Sequence, residues 1–183
     1  MTESIVAAPE TADRNRAVAR IATAALAALL SLLTVIRYGI SGEAAVFVFA
    51  LCVLVVLSRH DLEHRVIPNR IVLPAWLVVL VARLALDPGQ WAEWLVASLA
   101  AGAFFLVFAL AKPGGLGLGD VKLAVLIGAL LGWDVIPALL MGTLASAVFA
   151  IVLLIREGSA ARKRTFPLGP FLAAGAIITI LFL

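Results

Sequence analysis

Residues 135–155 read VIPALLMGTLASAVFAIVLLI, an uninterrupted apolar run between Asp134 and Arg156. A run of this length can cross the ~30 Å hydrocarbon core of a bilayer as one α-helix, in which backbone N–H and C=O groups are satisfied without water. Six more apolar stretches accompany it, at 17–36, 44–57, 71–86, 91–111, 116–133 and 168–183. Together they consume nearly all of the 183 residues, 64% of which are hydrophobic, and the mean hydropathy is +1.15. Soluble domains carry roughly 45–50% apolar residues. The chain is therefore predicted to be all-α, a polytopic transmembrane helix bundle of about seven helices in the lipid bilayer. Six would result if 116–133, which carries Asp120 and Lys122 near its start and runs into Gly132-Trp133-Asp134, is re-entrant instead of crossing.

Residues 1–16 hold Glu3, Glu10 and Asp13 and are expected to form a disordered cytoplasmic leader, followed by a single membrane-embedded domain over 17–183. No small-residue cleavage site followed by polar sequence marks the first apolar stretch as a removable signal, so it is expected to remain as a helix. With the N-terminus inside, the cytoplasmic segments hold Arg14, Arg16, Arg20, Arg59, Arg65, Arg70, Lys112, Lys122, Arg156, Arg162, Lys163 and Arg164, leaving only Arg37 and Arg83 outside. The positive-inside rule then selects N-in and C-out. No nucleic-acid partner is expected, because the net charge of +3 is scattered over short loops with no arginine-rich arm. Cys52, the one cysteine, lies in an apolar run and reads as a packing residue, while Trp91, Trp94 and Trp133 read as anchors at the outer interface. Alanines at 24, 27 and 28, and Gly142, Ala145 and Ser146, would permit close helix packing within the chain or in a homo-oligomer.

Two polar motifs interrupt this background: Asp61-Leu-Glu-His-Arg-Val-Ile-Pro-Asn69 and Gly114-Gly-Leu-Gly-Leu-Gly-Asp120-Val-Lys122. Each puts a carboxylate at the edge of an apolar segment, where an ionisable group is costly and marks a functional candidate. The predicted topology brings Asp61 and Asp120 to the same membrane face, together with Phe166-Pro-Leu-Gly-Pro-Phe171. Peptide hydrolysis needs a base that takes a proton from water and an acid that polarises the scissile carbonyl. Two neighbouring carboxylates cannot both ionise cheaply, so a shared proton supplies the acid beside the base. Asp61 and Asp120 are the candidate catalytic residues, and Gly117 and Gly119 would let an extended peptide approach the backbone.

The same residues admit plainer readings. Asp61 would serve as a solvated loop carboxylate balancing Arg59 and Arg65, and Asp120 would pair with Lys122, or Lys122 would reach for headgroups. Pro68 and Asn69 would simply start the third helix, and Pro167, Gly169 and Pro170 would only break the chain before the seventh. A small proton-coupled transporter would also use Asp61 and Asp120, although such carriers bind at the bilayer midplane and often carry inverted repeats. His60-Asp-Leu-Glu63-His64 has the His-x-x-Glu-His spacing of some zinc proteases. These are the only histidines, so a third ligand would have to be a carboxylate.

The combined motifs resemble those of the type IV prepilin peptidases, a bacterial family of intramembrane aspartic proteases. The resemblance rests on Asp61 followed after five residues by Ile67-Pro68-Asn69, on Gly117-Leu-Gly-Asp120-Val-Lys122-Leu123, and on Pro167-Leu-Gly-Pro-Phe-Leu172, where Leu168 replaces the usual Phe. It covers residues 40–183 approximately. It implies an aspartic leader peptidase with Asp61 and Asp120 catalytic. Pro68, Asn69, Gly117, Gly119, Lys122, Pro167, Gly169 and Pro170 would support the site, and no cofactor or metal is implied. The implied partner is a prepilin or pseudopilin met in the bacterial inner membrane, with the site facing the cytoplasm. Larger members add a cytoplasmic domain with paired Cys-x-x-Cys motifs linked to N-methylation. No loop here is long enough for one, so the chain resembles the short, protease-only members of Flp-type (tight adherence) pilus systems.

The charge asymmetry predicts that single cysteines placed beside Arg65 and Lys163 are modified by impermeant thiol reagents from the cytoplasm, and ones beside Asp87 and Asp134 from outside. Cytoplasmic labelling at Asp134 would remove the fifth crossing.

Overall fold

The computed structural model describes residues 8–111, 116–157 and 167–183, and among these the chain forms seven α-helices, two short 3₁₀ helices and no strand. In order they are α1 (Ala8–Tyr38), α2 (Gly42–His64), α3 (Asn69–Leu86), α4 (Trp91–Ala111), α5 (Leu118–Leu131), α6 (Val135–Glu157) and α7 (Gly169–Phe182). Five helical stretches are long and apolar enough to cross a membrane, with α5 and α6 counted as one because a single 3₁₀ turn joins them. Large apolar side chains such as Ile21, Val107, Leu144 and Ile155 stand on the outside of the bundle. A soluble protein rarely exposes so continuous an apolar surface, and a bilayer requires one.

α1 begins well before its apolar segment. Residues 8–16, expected to belong to a disordered leader, form its first turns, and residues 1–7 lie outside the described residues. Pro9 is accommodated in the first turn, where its missing N–H is of no consequence, and the alanines and arginines that follow are good helix formers.

Where helices end is written locally. Ser41 caps α2 by accepting from the Ala44 N–H at 3.1 Å. Arg65 closes α2 in the left-handed region (φ 55°), its N–H bonded to Asp61 O at 2.8 Å. Pro68 then turns the chain, its carbonyl accepting from Ile71 and Val72 to open α3.

Contacts at one end of the bundle establish that the helices alternate in direction. There the Arg37 guanidinium donates to Leu181 O and the Tyr38 hydroxyl to Ile180 O at 2.9 Å, joining the end of α1 to the end of α7. The start of α2 meets the end of α3 through Glu43 and Arg83, whose Nη1 donates at 3.1 Å. Arg83 is buried: its Nε donates to Leu130 O at 2.9 Å, and its guanidinium lies 4.6 Å from the Phe47 ring and 4.7 Å from that of Trp94. An Arg in an apolar bundle requires such acceptors and π faces. This removes Trp94 from the expected interfacial anchors, because its ring is buried against Arg83, while Trp91 and Trp133 are exposed.

The fifth stretch runs the length of the bundle. α5 starts at the end opposite Arg83 and finishes against it, at Leu130. Its 14 residues span about 21 Å at 1.5 Å per residue, short of a lipid-facing crossing. The length suffices because α5 faces protein: every residue from Leu126 to Leu131 is buried. In mid-bundle the Trp76 indole donates to Ser98 Oγ at 3.0 Å, and Ser98 Oγ donates to Val125 O at 2.9 Å, joining α3, α4 and α5.

Two helix pairs touch backbone to backbone. A Cβ on Gly128 of α5 would stand 2.6 Å from Ala97 O and 2.7 Å from Ser98 Cα of α4, and one on Gly175 of α7 would stand 2.1 Å from Ala138 O of α6. Glycine permits this spacing, and dispersion and packing gain from it. Gly128→Val should therefore destabilise the fold by about 1–3 kcal/mol, the usual penalty of overpacking. Gly89→Val, where a Cβ would meet only the Asp87 carboxylate at 3.6 Å, should be close to neutral. Thermal unfolding in detergent, followed by circular dichroism, checks both.

Candidate active site

At the end of the bundle away from Arg83, α2 finishes and α3, α5 and α7 begin. Asp61 lies in the last turn of α2 with its side chain buried. Its Oδ2 accepts the Gly169 N–H, at the start of α7, at 3.1 Å. A Cβ at residue 169 would lie 2.7 Å from that oxygen, so glycine is what lets the helix terminus reach the carboxylate. Asp120 lies in the first turn of α5, and its Oδ2 accepts the Gly117 N–H of the N-cap residue at 3.2 Å. Each carboxylate therefore sits against unsatisfied donors at a helix N-terminus, where the helix dipole favours negative charge.

The two carboxylates border one cavity of about 390 Å³ and are close enough to act on each other electrostatically. Pro68, Asn69, Gly117, Gly119 and Lys122 line the same cavity. Lys122 Nζ donates to Asn69 Oδ1 at 2.6 Å, tying the first turn of α5 to the start of α3, and makes no ion pair with Asp120. Gly169 joins the group through its N–H. Pro167 is half-buried and does not line the cavity. Pro170 borders a different groove with Arg59, Leu62 and Glu63, where its role is to start α7. Phe166 lies outside the described residues.

Ile67 has a part that its place in a motif did not disclose. It is buried, and the positions a Cβ would take on Gly119 and Gly169 lie 3.0 Å from its Cβ and 3.4 Å from its Cδ1 respectively. The side chain thus wedges between the start of α5, which carries Asp120, and the start of α7, whose Gly169 N–H holds Asp61. The apolar pair Val66-Ile67 inside an otherwise polar turn is the hint the sequence offers. Arg65, Val66 and Leu118 complete the lining.

The His-x-x-Glu-His segment is engaged otherwise. The His60 and His64 rings stack with centroids 4.4 Å apart, Glu63 is paired with Arg59 at 2.8 Å, and His60 Nδ1 donates to Val66 O at 2.8 Å. Among the described residues no group of three His, Cys, Asp or Glu side chains is disposed to hold a metal ion.

Residues 48–155 match the type IV leader peptidase family. The chain belongs to that family. It is 32% identical over 152 residues to a prepilin leader peptidase/N-methyltransferase of Bacillus subtilis, covering 80% of this chain and 59% of the relative. A second of the same name, from Pseudomonas putida, is 32% identical over 160 residues, covering 85% and 56%. The leader peptidase HopD of Escherichia coli is 31% identical over 134 residues, covering 69% of this chain and 86% of the relative. The chain thus spans little more than half the length of the two larger relatives. No solved structure matches it significantly. Asp61, Asp120 and Lys122 fall inside the matched family span, and Gly169 falls beyond it.

Gly169→Ala should leave the fold intact while displacing the Asp61 carboxylate from its backbone donor. A hydrogen bond to a charged group is worth ~1.5–3 kcal/mol, so any turnover that depends on the Asp61 carboxylate should fall roughly ten- to hundredfold. Gel-based cleavage kinetics and the unfolding midpoint, measured on the same preparation, test this.

Proposed function

We propose that this chain is an intramembrane aspartic endopeptidase that removes the short leader of type IV or Flp-like prepilins or pseudopilins. The observation that carries the reading is the meeting of Asp61 and Asp120, from separate helices, on one cavity at the bundle end. With one proton shared between them, the ionised carboxylate takes a proton from a water held in the cavity. The protonated one donates to the carbonyl oxygen as the water oxygen attacks the carbon. Collapse of the tetrahedral intermediate returns the carbonyl and passes a proton to the leaving amine, restoring the pair. The carboxylates act as one titrating unit, and neither role belongs to one residue in isolation.

The positive-inside charge distribution supports a site facing the cytoplasm of a bacterial inner membrane. A site there reaches the junction between a cytoplasmic leader and the membrane helix that follows it. Cleavage is expected just after a small residue at that junction, since a small or glycine-like residue lets the helix end unwind into the extended form a protease needs. Release of an unmethylated N-terminus by this chain alone is supported by Cys52 being its single cysteine, which leaves no paired Cys-x-x-Cys motifs in it.

The transporter reading is less favoured, because both carboxylates lie at a bundle end and not at its middle. The zinc reading is disfavoured by the pairing of Glu63 with Arg59. Asp61→Asn and Asp120→Asn should each insert and fold, and each should abolish cleavage of a reconstituted prepilin, with the double variant little worse than either single one. Glu63→Gln and His64→Ala should be mild, and chelators without effect. Near-normal turnover by Asp120→Asn, read by mass spectrometry of the product N-terminus, would sink the aspartic mechanism.

A further inference from the structure

Between α4 and α6 lies a groove made of two adjoining cavities of about 350 and 520 Å³. They share Phe104, Phe105 and Thr143, so the groove is continuous. On α6 it runs from Val135 to Ser146, about 17 Å at 1.5 Å per residue. Its floor is buried and small, with Ala97, Ala101 and Ser146, and its rims are exposed, with Phe104 and Phe108 on one side and Ile136 and Leu140 on the other.

We propose that this groove seats the apolar helix that follows the leader in a prepilin substrate, antiparallel to α4 and α6, with its N-terminal end at the carboxylates. This rests on the leader-peptidase reading and adds where the substrate lies. Its end nearest the site is formed by Leu116 and Leu168, each immediately before a glycine, Gly117 or Gly169, whose N–H holds an active-site aspartate. A helix lying in the groove therefore delivers the residue before its first turn to the cavity.

The lining chemistry selects an apolar occupant. Among the described residues no charged side chain borders the groove, and its two hydroxyls are committed within α6, Thr143 Oγ1 to Leu139 O at 2.7 Å and Ser146 Oγ to Thr143 O at 3.1 Å. Alanines at 97, 100 and 101 let a second backbone come close, the usual means of helix association in lipid. The other large groove, between α1, α2 and α7, is bordered by Arg59 and Glu63 and by neither Leu116 nor Leu168.

The test uses the full chain in phosphatidylethanolamine–phosphatidylglycerol vesicles, with a prepilin carrying its leader and apolar helix. In an Asp120→Asn background that holds substrate uncleaved, Phe108→p-benzoylphenylalanine should photo-crosslink to the first turn of the substrate helix. Leu140→p-benzoylphenylalanine should crosslink two to three turns further on. Leu99→p-benzoylphenylalanine, on the opposite face of α4 and 56% exposed, should give no substrate adduct. With Asp120 intact, Ala100→Trp should raise KM for the whole prepilin roughly tenfold, as overfilling a packed site does. It should leave cleavage of a leader-junction peptide without the helix unchanged. Adducts that are equal at Leu99, reversed in register or confined to phospholipid, while the unaltered chain still cleaves, overturn the groove assignment and leave the peptidase reading standing. Ordered adducts without any cleavage by the unaltered chain uphold the groove and remove the peptidase reading. Absence of both removes both.

Discussion

At Gly128 the backbone of α5 lies directly against the backbone of α4, and the placing of Asp120 depends on that contact. A helix of 14 residues is too short to hold its position in a bilayer by its own hydrophobic length. It is held by what surrounds it: the backbone approach at Gly128, the Trp76–Ser98–Val125 hydrogen-bond relay, and the Arg83 side chain on Leu130 O. These contacts fix the height of α5 and hence the level at which its first turn meets α2, α3 and α7. A shift of one residue along the axis would move Asp120 by about 1.5 Å, enough to spoil the water activation proposed for the pair.

The two ends of the bundle solve opposite problems with similar means. At one end a single cation is buried, and Arg83 is satisfied by a carbonyl, a carboxylate and two aromatic faces. At the other, two carboxyl groups converge, and each is met by a backbone N–H at a helix start. Backbone donors at a helix terminus are rigid and carry no side-chain entropy to lose, so they hold a carboxylate without neutralising it as an ion pair would. Lys122, the nearest plausible counter-ion in the sequence, bonds to Asn69 instead. No ion pair with Lys122 thus stands in the way of the proton sharing that the proposed aspartic mechanism requires.

Where the bundle is loose is as informative as where it is tight. Close backbone packing joins α4 to α5 and α6 to α7, yet α4 and α6 stand apart and leave the apolar groove. In lipid no hydrophobic force closes such a gap, because acyl chains fill it as readily as side chains do. An intramembrane protease must admit its substrate sideways from the bilayer. A gap bordered by rigid pairs is where the proposed substrate helix would enter without disturbing the elements that carry the carboxylates.

Much of this was legible in the sequence because it depends on local chain chemistry. Continuous apolar runs specified seven helices, Pro68 and the Gly-rich turn before Asp120 specified where helices begin, and the family resemblance rested on short contiguous motifs. What the sequence could not determine was which way each helix turns and how deep it sits. Helices that are apolar all round carry no polar stripe to mark an inner face. So Trp94 read as an interfacial anchor though it packs on Arg83, Pro170 read as part of the site though it faces another groove, and residues 8–16 read as a leader though they begin α1. The Gly169 N–H on Asp61 joins residues 108 apart in the chain. Only the tertiary structure could decide it, because the bond exists only when α2 and α7 pack with the right height and rotation, and no local pattern encodes either.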